Sequence, residues 1–225
     1  MPVFILILLS NAVMAQKVLL GLKAAPLMGW YKCTGSAVKT GGSSVGFSYG
    51  LMADFKIGER YYLGTGFDIA YMGGKVVLPT AVYTPPSSIS VPVTNVQINY
   101  SNQYIQVPLS LKFRTKEIGH IAYWAQFGYA NSFLLHGKAS LQSDNGIIDT
   151  KKILTNSADV KLNYNYEVPM YRGSMIIGLG IEYPIGGNSR IYSGIKFDNG
   201  LFSSVKDKKM DALHSNLSLN FGVYF

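Results

Sequence analysis

The stretch 214–225, HSNLSLNFGVYF, decides how this chain is read. Leu217, Leu219, Phe221, Val223 and Phe225 alternate with Ser218, Asn220, Gly222 and Tyr224, a period of two that runs to the last residue. One face is apolar and the other is small or polar. An apolar strand with an aromatic final residue frays unless something holds it. The first strand is the expected partner, and that pairing closes the sheet on itself. In a bilayer such closure is required, because an open edge leaves backbone N–H and C=O groups unpaired in hydrocarbon. The stretch therefore predicts a transmembrane β-barrel.

Composition agrees. The 225 residues suit one domain. Charged residues make up 14%, against roughly 25% in soluble domains. Tyrosine (16) and glycine (24) are abundant, as interfacial girdles and a tightly packed interior require. The net charge of +8 comes from basic residues scattered among Tyr, Gly and Ser. That spread does not make a nucleic-acid surface, and basic loops or a basic lumen account for it better. Cys33 is the single cysteine, so no internal disulfide can form, and an unpaired thiol at a loop edge is expected. Residues 1–15, MPVFILILLSNAVMA, read as a signal peptide with Val13 and Ala15 before Gln16, leaving 16–225 as the barrel domain.

Seven further segments alternate like the last: 17–31, 44–58, 61–74, 103–115, 120–135, 171–186 and 190–202. In 103–115, Ile105, Val107, Leu109, Leu111 and Phe113 alternate with Gln106, Pro108, Ser110, Lys112 and Arg114. The expected fold is all-β, an eight-stranded antiparallel transmembrane barrel in an up-and-down meander. Connections alternate long and short, which predicts an outer-membrane location with both termini and the tight turns periplasmic and the long loops extracellular. The Pro-containing segment 75–101 is expected to carry strand-like extensions, and 136–167 reads as a long polar loop.

Alternation also assigns the charges. Lys23, Asp54, Lys56, Asp68, Lys112, Arg114, Glu182, Lys196 and Asp198 fall on the inward face, since charge on the lipid face is destabilising. An eight-stranded barrel is only wide enough for side chains to fill. Mixed signs therefore predict a packed ion-pair network rather than an open pore. His120, His136 and His214 have no metal-ligand spacing. Gly73, Gly74 and Lys75 lack the phosphate-loop frame. No catalytic, metal-binding or cofactor residues are expected. Trp30, Tyr31, Tyr71, Tyr129 and Tyr183 are expected in interface girdles.

The segment 103–115, QYIQVPLSLKFRT, resembles the "Tyr-hydrophobic-x-hydrophobic-Pro-Leu-x-Leu-Lys" strand of PorT-like outer-membrane barrels, and KVLLGLKAA (17–25) and NFGVYF (220–225) look similar too. The resemblance implies an eight-stranded outer-membrane barrel. Its named member is associated with a system that exports proteins across the outer membrane, which makes secretion-system proteins, beside bilayer lipid, the expected partners. No catalytic residues come with it. The expectation is a non-enzymatic structural or interaction barrel accessory to secretion, with a passive channel or small-ligand transporter as the alternative and a rim enzyme as a third class.

Overall fold

The structure, a computed structural model, describes residues 18–84, 90–144, 148–154, 161–162, 167–187 and 189–225. The expected signal peptide lies outside the described residues. The strands are β1 (Val18–Cys33), β2 (Lys39–Lys56), β3 (Tyr61–Thr84), β4 (Val91–Arg114), β5 (Ala122–Gln142), β6 (Asp149–Leu154), β7 (Lys161–Leu162), β8 (Tyr171–Gly186), β9 (Ser189–Gly200) and β10 (Ala212–Tyr224). Eight of them make a closed antiparallel ring in chain order, with β6 and β7 hung on β5 and β3 outside it. The barrel is an up-and-down meander.

Closure falls where the last segment predicts. β1 pairs with β10 from Gly21 opposite Tyr224 to Cys33 opposite Ala212, and the Phe225 N–H donates to the Leu20 carbonyl. Neither strand is left with a bare edge. The β3–β4 ladder lapses opposite Pro108, which has no N–H to donate. There the Thr65 hydroxyl donates to the Pro108 carbonyl at 2.8 Å.

The turn end matches its reading: β8 and β9 meet through Gly186 and Gly187, both at positive φ. The other end differs. The expected long loop after the first strand shrinks to residues 34–38, because β2 begins at Lys39. Both β3 and β4 run for 24 residues, about 80 Å of strand, whereas about 10 residues cross a bilayer. Their surplus length, with part of β5, forms an ordered crown.

The crown inverts the barrel's polarity. Along β4, Val96, Ile98, Tyr100 and Tyr104 are buried, and Gln97, Asn99 and Gln103 lie on the other face. From Ile105 onward the apolar residues switch parity, so Val107, Leu109 and Leu111 are exposed while Gln106, Ser110 and Lys112 are buried. β3 shows the same change, from outward Leu63, Phe67 and Tyr71 to inward Met72, Val76 and Leu78. Below the switch the outer wall suits hydrocarbon. Above it the outside suits water, and the inside is an apolar core of Val76, Leu78, Val96, Ile98 and Leu141.

Candidate functional site: the barrel interior

The interior is built in layers, starting at the turn end. Lys112 of β4 projects into the lumen and is almost fully buried. Its ammonium lies 2.8 Å from Asp54 Oδ2 on β2, 2.7 Å from Glu182 Oε1 on β8, and 2.9 Å from the Tyr224 hydroxyl on β10. That hydroxyl donates onward to Asp54 Oδ2 at 2.8 Å. The rings of Trp124, Tyr192 and Tyr224 surround the same ammonium, with centroids 5.4, 5.1 and 4.8 Å away. Two carboxylates and three π-faces replace its water. One side chain thus ties together contributions from six strands.

Trp124 can lie flat on Tyr192, with centroids 4.7 Å apart, because Gly180 and Gly194 are cross-strand partners beneath it. A Cβ at Gly194 would collide with the indole. Glu182 Oε2 is 2.8 Å from Arg114 Nε and 3.9 Å from Arg190 Nη1, so one carboxylate is shared by three cations.

Nearer the crown, Lys23 pairs with Asp68 at 2.8 Å. Arg172 Nη2 is 2.6 Å from Asp198 Oδ1 and donates to the His214 carbonyl at 2.9 Å. Gln106 Nε2 donates to Asp198 Oδ2 at 3.0 Å and to the Ser132 hydroxyl at 3.2 Å. Lys196 is buried between these groups and, among the described residues, makes no ion pair. Above them Tyr31 meets His214 edge to face and Tyr100 at a tilt, and His214 Nε2 lies 3.1 Å from the Gly73 carbonyl. The apolar crown core begins there.

Of the nine inward charges expected, Asp54, Asp68, Lys112, Glu182, Lys196 and Asp198 are buried, Lys23 and Arg114 are partly exposed, and Lys56 is exposed at the turn-end mouth. Lys56 keeps the inward parity of Met52 and Asp54 and lines the mouth, and it is exposed because it ends its strand and has no wall beyond it. Tyr31 is a correction: it is buried inside, not in a girdle, because its neighbour Trp30 faces out and stacks on Phe197. Three interior residues escaped the sequence reading, namely Arg172, Arg190 and His214. The signal was present in parity, since Arg172 and Arg190 share the even positions of Glu182 and Tyr192, and His214 those of Asn216 and Ser218. The other two histidines, His120 and His136, are exposed. Cys33 is free and half-buried at the end of β1.

At the turn end the lumen opens into a mouth of about 560 Å³ whose lining includes Lys56, Arg60, Arg114, Lys116 and Arg190 with Glu59 and Glu117.

A closed sheet whose wall below the crown is apolar outside and carries its charges inside defines an integral outer-membrane barrel. The chain belongs to the family described as outer membrane protein beta-barrel domain, whose profile it matches over residues 14–206. No curated protein matches it. Among solved structures it is similar to Neisserial surface protein A (13% identity, 92% of this chain and 97% of the other, TM-score 0.47). It is also similar to OprG of Pseudomonas aeruginosa (8%, 92% and 95%, TM-score 0.42) and the attachment invasion locus protein Ail of Yersinia pestis (15%, 92% and 97%, TM-score 0.40).

Proposed function

We propose that this chain is a non-enzymatic outer-membrane barrel whose lumen is a packed ionic plug and whose work is done by its crown. The observation that carries the reading is Lys112, held at once by Asp54, Glu182 and Tyr224 across the lumen. Opening a passage there would strip two carboxylates from a buried cation, which is strongly unfavourable. On this reading the termini and tight turns are periplasmic, residues 1–15 are removed on export, and the crown faces outward. The PorT-like features of β4 support secretion-system proteins as its partners.

Planar-bilayer recording of the refolded protein tests the plug. No stepwise openings are expected. Stable openings in the wild-type protein would overturn the plug and favour the second reading, a passive channel, to which the wide basic mouth lends support. For the secretion role, proteins released to the medium are compared between a deletion strain and its parent. Retention of a defined cargo set in the periplasm is expected, and an unchanged profile removes that role.

A further inference from the structure

We infer that the turn-end mouth is a binding site for a small multivalent oxyanion, phosphate or polycarboxylate in chemistry, gripped by Arg114 and Arg190. Arg114 on β4 and Arg190 on β9 converge from separate strands on the same oxygen of Glu182, at 2.8 and 3.9 Å. That carboxylate is already committed to Lys112 at 2.7 Å through its other oxygen. It therefore orients the two guanidinium groups without using up their donors. Arg190 Nη1 is buried and, among the described residues, has no hydrogen-bond partner. Arg114, nine-tenths buried, reaches its other neighbour, Glu117, only at 3.6 Å.

Two guanidinium forks held by packing present the planar donor geometry that oxyanions accept in bidentate fashion. Little side-chain freedom remains for a ligand to freeze. Lys56, Arg60 and Lys116 add positive charge around the rim, against the carboxylates Glu59 and Glu117. The mouth, at about 560 Å³, falls in the range of small-molecule sites. Because these groups face the lumen and not the outer wall, the ligand is a soluble anion rather than a lipid headgroup. The inference is independent of whether the layer above conducts.

The test is a calorimetric titration of the refolded barrel in neutral detergent at low salt, using inorganic pyrophosphate, with citrate and chloride alongside. Saturable binding of pyrophosphate or citrate, with chloride far weaker, is expected. Arg190→Gln should weaken it about tenfold, the loss of one charge-assisted contact. Lys138→Gln, at an exposed position in the crown, should leave it unchanged. In a Trp30→Phe background, where Trp124 is the sole indole, its emission gives a second readout, since Lys112 joins that indole to Glu182, and an unchanged spectrum on adding Arg190→Gln without ligand confirms a folded interior. Three outcomes would sink the inference: no saturable binding, equal weakening by Lys138→Gln, or binding seen only when the barrel sits in vesicles of anionic lipid.

Discussion

At the scale of single residues, position in the dielectric decides what a charge does. Glu182 is buried and shared by Lys112, Arg114 and Arg190, whereas Glu167 meets Lys206 at 2.7 Å in the open. Glu182→Gln should destabilise the barrel by about 3–5 kcal/mol, by leaving buried cations uncompensated. Glu167→Gln should cost about 0–1 kcal/mol. Urea unfolding in lipid vesicles measures both, and similar losses would mean that the layer around Lys112 is hydrated. The same reasoning separates neighbours on β4. Leu109→Arg puts charge on the lipid face and should cost ~2–4 kcal/mol. Read from sequence alone, Ser110→Arg would be the milder change. In the fold Ser110 is buried against Gly64 and Gly128, so Ser110→Ala is expected to be the mild variant and Ser110→Arg is expected to fail to insert as Leu109→Arg does.

At the scale of elements, each long strand carries two environments end to end. β4 is soluble-like up to Tyr104 and membrane-like from Ile105, with no break in its backbone ladder to β3 at that point. Ile98→Asp should therefore damage the crown alone, by burying an unpaired carboxylate in an apolar core. Limited proteolysis in detergent should show new cuts between residues 91 and 104 and a protected fragment from the barrel wall. Loss of the whole protected pattern would show that crown and barrel fold as one unit. The pair Gly180 and Gly194 marks a second element-scale constraint, because both strands leave a slot for Trp124. Gly194→Val should displace the indole from Tyr192, costing about 1–3 kcal/mol by overpacking and weakening the near-ultraviolet dichroism of the stacked rings.

At the scale of the whole molecule, the ring is only as good as its last pairing. Removing residues 212–225 strips β10 from both β1 and β9, exposing two edges that hydrocarbon cannot satisfy. Such a chain is expected to give no protease-resistant barrel on refolding into vesicles, and a resistant product would show that seven strands can close. Closure also organises the lumen. Asp54 and Tyr224 lie 170 residues apart in the sequence, yet Lys112 bonds both, and only a ring brings β2, β4 and β10 to one point.

Much of this was legible in the residues. The alternation in 171–186 matches β8 end to end, and 214–225 predicts the closing strand. Period-two patterning reports which face meets lipid, and that depends on each strand by itself. Two things were not legible. The crown shows only in part: segment 75–101 predicts strand-like extensions, which β3 and β4 provide, but 136–142 reads as loop although β5 continues through it, and the union of crown and wall is hidden because the crown's apolar residues occupy the opposite parity, so the hydrophobic signal breaks at residues 104–105 although the backbone continues. Parity also gives a face but not a depth or a partner. That Lys112, Arg114 and Arg190 share Glu182, while Lys56 stands in the open mouth, follows from stagger and ring closure. Those are properties of eight strands together, fixed only when the first pairs with the last.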